Sequence, residues 1–526
     1  MRNEMTKGRK KSDGRVVPES RRKAVLTAER QGGKAVTASE QTRQLRMNLG
    51  TADSPKGDVA RTEAGQPVPV VSAVPKLRGR KRRVASAMTM EEVANEETLR
   101  EAFAQVKSND GAPGPDRQSV EEVEKHLQDI LPRLIRELLE ETYQPGAIRR
   151  VWIAKAGGGQ RGLGIPDVID RMVQQAVHLV MQPHYQPAFH PSSHGFQEGK
   201  SCHTAIAEAK RYLEEGYEWV VDIDLEKFFD RVHHDRLIAR LGQKVSDHRL
   251  LRLIRRMLKA KVVMPDGVVV STEEGTPQGG PLSPLLSNIV LDELDWELTE
   301  RGHRFVRYAD DCNIYVRSER AGQRVMGSIV RFINKRLRLK VNEAKSAVAQ
   351  PEGRHFLGFR LRREPLDGSV EVLLSKRSKD RIYEKVQQLT PKRWGQKLSR
   401  CIRELNAYLT GWIGFFRICT ESEERTLRAI DAHIRRRLRA ILLRQWKRRR
   451  TIVKRLIRLG VKRKTAWRQV YQGHQSLWAL SHNVAVERGL RNAYFAERGL
   501  TSVFERWTAW NRNIGIASTQ LELPWR

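Results

Sequence analysis

The sequence has few cysteines and no long apolar run. Its four cysteines among 526 residues form no Cys-x-x-Cys pair, which excludes a disulfide framework and the usual zinc spacing. No apolar stretch approaches the about 18 residues that a membrane-spanning helix needs. The N-terminus also lacks the apolar segment of a secretory signal. We therefore expect free, mostly structural thiols, no membrane partner and a cytoplasmic protein.

Negative charge is also in short supply. The chain has 62 Asp and Glu against 97 Lys and Arg, a net charge of +35 and a pI near 10.4. Such an excess favours a polyanionic partner, because cations that neutralise phosphates release counterions. An anionic membrane surface is the competing interpretation, and no apolar segment supports it. The expected location is the nucleoid or a ribonucleoprotein particle.

The positive charge is concentrated in a helical segment late in the chain. Residues 425–464 contain 17 Lys and Arg and a single acid, Asp431, interleaved with Leu, Ile and Trp446. These cations would either lie on a solvated helix face or bind a nucleic acid, and their mutual repulsion favours the nucleic acid. The candidate RNA-binding residues are Arg435, Arg436, Arg437, Lys447, Arg448 and Arg449.

A short strand in the first half carries acids on one face. In "WVVDIDL" (219–225), Trp219, Val221, Ile223 and Leu225 alternate with Val220, Asp222 and Asp224, and Glu226 follows on the acidic side. Successive strand residues face opposite sides, so one side is apolar and the other carries acids that repel one another. The acids either occupy an ordinary exposed face or surround cations.

A second pair of acids interrupts the apolar run "FVRYADDCNIYV" (305–316). Asp310 and Asp311 are predicted at the turn of a hairpin, where Asp is common for reasons of turn geometry alone. Together with the acidic strand, however, they suit two-metal phosphoryl transfer, in which paired Mg²⁺ ions hold the attacking and leaving oxygens. Carboxylates are the ligands that Mg²⁺ prefers.

These segments resemble the reverse transcriptases, and more narrowly the bacterial group II intron-encoded reverse transcriptase–maturases. The resemblance covers roughly residues 90–510. It is carried, in the family's order, by "NDGAPGPD" (109–116), "RGLGIPDVIDRMVQQAV" (161–177), "DIDLEKFFD" (222–230), "GTPQGGPLSPLLSNIVLDELD" (275–295), "YADD" (308–311), "LKVNEAKS" (339–346), "FLGF" (356–359) and "LNAYLTGWIGFF" (405–416).

The resemblance implies an α+β, right-hand polymerase with fingers and palm, followed by an α-helical thumb and maturase region. The expected divisions are 1–85, a basic and largely disordered arm; 86–365, fingers and palm; 366–480, thumb and maturase; and 481–526, a possible DNA-binding extension. The composition of the arm suits a solubilising tail as well as a nucleic-acid contact. No paired Cys-x-x-Cys follows residue 481, so the zinc-supported endonuclease domain of some relatives is expected to be absent.

The resemblance also implies the catalytic residues. Asp224 and Asp310 would be the main ligands of two Mg²⁺ ions, with Asp311 as the third carboxylate and the main-chain carbonyl of Leu225 assisting. The 3′-hydroxyl of the primer would attack the α-phosphate of the bound nucleotide.

Five further residues are expected near the incoming nucleotide. Lys155 and Arg161 flank a Gly-rich turn suited to a triphosphate, and Phe229 would lie beneath the sugar and exclude ribonucleotides. Gln278 would contact the nucleotide or the template–primer, and Lys345 would protonate the departing pyrophosphate. From the residues alone, these are equally loop cations, a core Phe, a polar loop residue and an exposed lysine. His233 and His234 are expected on a helix surface.

The implied function is RNA-directed DNA synthesis for an intron whose splicing and mobility the chain assists. The implied partners are group II intron RNA, an RNA template with a DNA primer, target DNA and dNTPs. A maturase without polymerase activity and a defence or diversity-generating reverse transcriptase are the alternatives. One departure lies in "GFQEGKS" (195–201), where many relatives have Arg-Pro-Gly-Arg after "GF". Gln197 and Glu198 reduce the positive charge expected beside the template, and Lys200 provides a point charge in place of the guanidinium fork.

Overall fold

The computed structural model describes residues 87–154, 159–276, 279–392, 394–473 and 476–521, with side chains up to residue 512. The predicted N-terminal arm, Lys155 and Gln278 therefore lie outside the described residues. In the described part, helices and short sheets alternate in the first two thirds, and helices dominate the last third.

The first two thirds contain ten helices and eight strands among the described residues. The helices are α1 (Met90–Val93), α2 (Glu96–Asn109), α3 (Val120–Lys125), α4 (Leu127–Leu139), α5 (Val168–Tyr185), α6 (Cys202–Glu214), α7 (His234–Leu241), α8 (His248–Leu258), α9 (Ser283–Glu300) and α10 (Glu319–Phe332). The strands are β1 (Ile148–Ala154), β2 (Gln160–Ile165), β3 (Trp219–Ile223), β4 (Val262–Val263), β5 (Val269–Val270), β6 (Arg304–Tyr308), β7 (Asp311–Val316) and β8 (Ala347–Ala349).

The palm sheet has the strand order β6-β7-β3-β8 and is antiparallel throughout. Successive residues of β3 face opposite sides, as the sequence predicts, and both sides meet a core: Val221 and Ile223 join the core of the first half, and Val220 joins the core of the second half. Because β3 is a central strand covered on both faces, Val220, Val221 and Ile223 are almost fully buried. Asp222 and Asp224, at the end of the strand, are partly exposed.

The fingers contain a second sheet, with the order β2-β1-β4-β5, in which β1 and β4 are parallel. The hairpin β1–β2 carries the Gly-rich turn, of which residues 155–158 are not described. Helix α5, which follows β2, packs against α2 and α1, and twelve of its 18 residues are buried. The motif 161–177 thus consists of one finger strand and the core helix that supports it.

The last third begins with the hairpin of β9 (Phe359–Arg363) and β10 (Val370–Leu374). The helices that follow are α11 (Lys376–Leu389), α12 (Leu398–Phe416), α13 (Glu424–Trp446), α14 (Arg449–Arg458), α15 (Arg463–Tyr471), α16 (Leu477–Leu480), α17 (Val484–Gly489), α18 (Asn492–Ala496) and α19 (Val503–Leu521). The predicted boundary at 365/366 falls within the turn of the β9–β10 hairpin. Both strands of this hairpin pack in the core of the C-terminal helices.

Asp431, the single acid of the basic segment 425–464, has a structural role. Its carboxylate accepts hydrogen bonds from the amides of Val503 (2.9 Å) and Phe504 (3.1 Å) and from the Ser502 hydroxyl (2.7 Å). A carboxylate at a helix N-terminus satisfies amides that have no partner within the helix. Asp431 therefore joins α13 to α19 across the predicted boundary at 480/481.

All four cysteines, Cys202, Cys312, Cys401 and Cys419, are buried and free, which confirms the expectation of structural thiols. In the part of the chain that the structure describes, no helix is long and apolar enough to cross a membrane.

Candidate active site

The two adjacent acids lie at the predicted hairpin turn. Tyr308 of β6 pairs with Asp311 of β7, and Ala309 and Asp310 form the two-residue connection. Ala309 has a φ of 56°, a left-handed conformation that a residue with a Cβ rarely adopts. A turn of this type matches the twist of the two strands and directs Asp310 to the end of the sheet.

The turn is held from below by Arg307, whose side chain is fully buried. Its guanidinium donates to the Ala309 carbonyl (2.9 Å), to both carboxylate oxygens of Asp295 (2.7 and 2.5 Å) and to the Ser193 hydroxyl (2.7 Å). Gly195 approaches from the side, where an added Cβ would lie 2.3 Å from the Ala309 amide nitrogen. The strained turn is therefore fixed by a buried ion pair and a close backbone contact.

Asp224 directly follows β3, the central strand. Its amide donates to the Ser346 hydroxyl (3.0 Å), and its carbonyl accepts from the Asn342 amide (2.8 Å). Its carboxylate lies 3.0 Å from the ammonium group of Lys345. The motif 339–346 therefore positions Asp224 through three of its residues, and Lys345 provides a cation at the carboxylate.

The hydrogen bonds on either side of Leu225 indicate the strand edge to which its carbonyl points. The main-chain groups of Asp224 and Glu226 bond to the segment 340–342 on one edge. Because main-chain groups alternate between the two edges of a strand, those of Leu225 point to the other edge, on the side of β7. This orientation agrees with the expected role of the Leu225 carbonyl as a metal ligand.

Two of the acids on the β3 face have partners of their own. Arg354 donates to Asp222 (Nε to Oδ2, 2.9 Å), and Arg231 forms an ion pair with Glu226 (3.0 Å). Each of the three acids of this face therefore lies beside a cation, since Asp224 contacts Lys345.

The carboxylates of the centre affect one another electrostatically. Desolvation and the charge of Asp224 raise the pKa of Asp310, whereas Arg161 and Arg307 oppose the shift. Desolvation and repulsion by Asp310, Asp222 and Asp224 raise the pKa of Asp311. Because Asp311 is exposed to solvent, we attribute the raised pKa of its carboxyl to repulsion by the neighbouring carboxylates. The acids thus lie close enough together that ionisation of one disfavours ionisation of the others.

In the described residues, no three acidic, histidine or cysteine groups converge closely enough to form a ready-made metal cage. Carboxylates that repel one another separate unless a cation lies between them, and the Lys345 ammonium already contacts Asp224. The set of donors is nevertheless that of a Mg²⁺ site: carboxylate oxygens and one main-chain carbonyl.

Of the five expected nucleotide-binding residues, Arg161, Phe229 and Lys345 lie in the described part of the chain. Arg161 is exposed on β2, near enough to lower the pKa of Asp310. Phe229 is buried in a single turn of 3₁₀ helix, and its carbonyl accepts from the Thr276 amide (2.6 Å). Added Cβ atoms at Gly275 and Gly279 would meet the main chain of Asp230 and of Gly164, so the described ends of the loop containing Gln278 pack between palm and fingers.

His234 corrects one expectation. It is buried rather than on a helix surface, and its Nε2 lies 2.7 Å from the Gly275 carbonyl oxygen, to which it donates. Its neighbour His233 is exposed, as expected. The buried imidazole fixes the beginning of the loop containing Gln278, which the sequence alone did not reveal.

Lys200 is engaged within its own loop. Its ammonium donates to the carbonyls of His190 (3.2 Å), Pro191 (2.6 Å) and Ser193 (2.7 Å). Gln197 is buried and Glu198 is exposed. The charge of Lys200 therefore stabilises the loop that presses Gly195 against the catalytic turn.

The six candidate RNA-binding residues have different environments. Arg437 donates to the Thr390 carbonyl (2.5 Å), and Arg449 donates to the carbonyls of Val470 (3.0 Å) and Gly473 (3.2 Å). Both therefore hold neighbouring helices. Lys447 and Arg448 are exposed, and Arg435 and Arg436 line a cleft of about 750 Å³ between α13 and the helices that follow.

Comparison with known proteins identifies the family of this chain. The family model "Reverse transcriptase (RNA-dependent DNA polymerase)" matches residues 153–361, and "Group II intron, maturase-specific domain" matches residues 379–457. The chain belongs to the reverse transcriptases that carry a group II intron maturase domain, and it is an RNA-directed DNA polymerase by class. These matches favour the leading interpretation over a splicing-only or defence protein.

Two curated relatives illustrate the similarity. Protein YkfC of Escherichia coli (strain K12) is 33% identical over 313 residues, covering 52% of this chain and 82% of the relative. Group II intron-encoded protein LtrA of Lactococcus lactis subsp. cremoris is 29% identical over 338 residues, covering 49% of this chain and 56% of the relative, so the match spans just over half of LtrA. A solved Cas6-RT-Cas1--Cas2 complex matches loosely, with a TM-score of 0.33, 17% identity, and coverage of 77% of this chain and 50% of that chain.

Proposed function

We propose that this chain copies RNA into DNA at the centre formed by Asp224 and Asp310, and that it binds the group II intron RNA that encodes it. The observation that carries the first part is the meeting of two acids from different elements: Asp224 at the end of the central strand and Asp310 in the adjoining hairpin turn. The direct test is extension of a DNA primer on an RNA template by the full chain with Mg²⁺. Absence of product from the folded wild-type chain would refute the proposal.

Reverse transcriptases use divalent metal ions, and here Asp224, Asp310, Asp311 and the Leu225 carbonyl would hold two Mg²⁺. When bound, the ions would neutralise developing charge on the attacking and leaving oxygens. The protein's own groups orient the reactants and move the proton. Arg161 lies on the finger strand beside Asp310 and, with Lys155 and Gln278, orients the triphosphate. Lys345, which approaches from the 339–346 segment, delivers a proton from Nζ to the departing pyrophosphate.

The proposed metal site predicts a pH-dependent stabilisation by Mg²⁺. Because the pKa values of Asp310 and Asp311 are raised, their contribution to stability is greatest at low pH and is lost as the pH rises through those values. At pH 8 the carboxylates are ionised, and Mg²⁺ at about five times its dissociation constant should raise the free energy of unfolding by about 1 kcal/mol. This corresponds to an increase of about 2–4 °C in the melting temperature.

At about pH 5.5 the shift should be smaller, because protons compete with the metal. Thermal melts with Mg²⁺ or with an equal ionic strength of Na⁺ measure both values. The double variant Asp310→Asn/Asp311→Asn should lose the shift, and an undiminished shift in that variant would place the metal elsewhere.

Phe229 is proposed to exclude the ribose 2′-hydroxyl. Replacing it with the smaller Val should increase ribonucleotide incorporation relative to deoxynucleotide by about 10–100-fold, the range that steric pocket changes give. Phe228→Val is the matched control, because the two rings lie 5.2 Å apart in the same 3₁₀ turn and both are buried. The ratio of kcat/KM for the two nucleotides is measured for each variant. Equal discrimination in both variants would make Phe229 a core residue only.

The RNA-binding part of the proposal assigns Arg435 and Arg436 to phosphate contacts and Arg437 to the fold. The double variant Arg435→Gln/Arg436→Gln should weaken binding of the encoding intron's transcript and reduce the salt slope by about one to two. Arg437→Gln should chiefly lower the melting temperature, because it removes the bonds to Thr390.

The control Arg320→Gln/Arg324→Gln removes two exposed cations of α10 and should change the slope less. Affinity that does not respond to salt would contradict the electrostatic account. The assistance to splicing would be architectural, with the chemistry belonging to the RNA, and the DNA flanking the reading frame is expected to encode a self-splicing ribozyme. Support of intron mobility would add a target DNA as a partner.

A further inference from the structure

Helix α15 carries two exposed aromatic rings that are separate from the catalytic and RNA-binding residues proposed for this chain. Trp467 and Tyr471 are 40% and 43% exposed, and their rings are stacked at 5.2 Å with an angle of 18° between the planes. A single exposed aromatic is common on protein surfaces, but two stacked and exposed rings form a larger flat aromatic surface. Such a pair offers a surface on which another flat group can stack.

The exposed rings lie on one helical face together with cations. Lys464, Trp467, Arg468 and Tyr471 are spaced at i, i+3, i+4 and i+7, which places them on the same side of the helix, and all four are exposed. The opposite side is anchored, since Ala466 and Val470 are almost fully buried. The face is therefore rigidly presented and combines aromatic planes with positive charge.

Tyr471 also contacts Arg449. The Arg449 guanidinium lies 6.0 Å from its ring centroid and donates to the carbonyls of Val470 and Gly473 at the end of the helix. The contact orders the C-terminal turn of α15 in the absence of a ligand. Preorganised rings lose little conformational entropy when they bind.

The surrounding sequence has no acid. Residues 432–486 contain 16 Lys and Arg and no Asp or Glu, a far stronger bias than that of the whole chain. Single-stranded nucleic acids bind where a cationic surface follows the backbone and aromatic rings stack on the bases. A membrane surface would favour aliphatic side chains beside the aromatics, and this face has cations there instead.

We propose that the α15 face (Lys464, Trp467, Arg468 and Tyr471) binds unpaired RNA, with a base stacked on the Trp467–Tyr471 pair and phosphates beside Lys464 and Arg468. The choice of RNA rests on the proposed function, which gives the chain an RNA template and an intron RNA. The stacking site itself rests on the exposed rings and the acid-free segment, so it extends the RNA contact beyond Arg435 and Arg436.

The test measures binding of the full chain to labelled rU12, dT12 and an RNA hairpin of similar charge. Stacking on one base contributes enough that Trp467→Ala/Tyr471→Ala should weaken rU12 binding about tenfold or more. The hairpin, whose bases are already paired, should be affected less than about twofold, and the salt slope should not change because no phosphate contact is removed.

Two further variants separate stacking from folding. Trp467→Phe/Tyr471→Phe retains flat rings and should restore most of the rU12 affinity. Trp296→Ala is the matched control, because Trp296 is 43% exposed on α9, and it should bind all three probes as the wild type does. Quenching of tryptophan fluorescence by rU12 should decrease in Trp467→Phe and persist in Trp296→Phe.

Several results would overturn the proposal. These are wild-type rU12 affinity in the alanine double variant, an equal loss for the hairpin, or a phenylalanine variant as weak as the alanine variant. Tighter wild-type binding to dT12 than to rU12 would overturn the assignment to RNA. Loss of binding to phosphatidylglycerol vesicles without loss of rU12 binding would assign the face to a membrane. If the proposed polymerase function were wrong, primer extension would fail while these binding measurements would be unaffected. A wrong assignment of the α15 face is therefore distinguishable from a wrong proposed function.

Discussion

Asp310→Ala is expected to reduce primer extension on an RNA template by about a thousandfold or more. Loss of a ligand that positions catalytic metal ions removes several kcal/mol of transition-state stabilisation, and each 1.36 kcal/mol corresponds to a factor of ten. The substitution should leave the fold intact, because Asp310 occupies a turn whose anchors are the Arg307 side chain and the Gly195 backbone. The first-order rate of single-nucleotide addition is the quantity to measure.

Asp129→Ala provides the control for this substitution. Asp129 is an exposed carboxylate in the first turn of α4, and it takes no part in the contacts of the centre. It should retain the wild-type rate and melting temperature. If both variants extended the primer equally, the assignment of Asp310 as a metal ligand would be wrong.

Arg307→Met is expected to have the largest effect on stability. The substitution leaves the Asp295 carboxylate buried without its partner, a change that costs about 3–5 kcal/mol for buried pairs. The melting transition of the palm should fall by about 10 °C. Because Arg307 also donates to the Ala309 carbonyl, the hairpin turn should loosen and the rate of nucleotide addition should fall as well.

The pairing can be tested by removing both charges. Arg307→Met/Asp295→Leu should recover part of the lost stability, since a buried pair replaced by apolar groups is often near neutral. Arg301→Met removes a more exposed i,i+4 ion pair with Glu297 and should cost about 1 kcal/mol or less. A double variant less stable than Arg307→Met would show that the loss does not come from the unpaired Asp295.

The elements that carry the centre could be predicted because their patterns are local. Alternation in 219–225 indicated a strand with an acidic face, and two apolar runs around Asp310 and Asp311 indicated a hairpin. Both are present, paired with each other in one sheet. Local periodicity determines which residues share a face, and the burial of one face then fixes the register.

The partners of individual charges could not be predicted, because they depend on segments far apart in the sequence. Arg307 looks like an ordinary residue of an apolar strand, although its position within "FVRY" (305–308) is itself a signal that a buried charge needs a partner. Asp222 pairs with Arg354, and Asp224 contacts Lys345, both more than 100 residues away.

The basic segment shows the same limit. Composition identified 425–464 as a stretch of cations but did not distinguish those that bind main-chain carbonyls from those that face solvent. Arg437 and Arg449 belong to the first group, and Lys447 and Arg448 to the second. Which arginines of such a run face inward and which face solvent depends on the elements packed around the two helices. The sequence of the run itself does not contain this information.

The most direct test of the central claim is a double-mutant cycle between Asp224→Asn and Asp310→Asn, measured as the rate of single-nucleotide addition on an RNA template. If the two carboxylates hold the same catalytic ions, either substitution disables the unit, and the double variant should be about as slow as the slower single variant. Losses that multiply in the double variant, or a near wild-type rate in either single variant, would contradict a shared metal centre formed by the central strand and the hairpin turn.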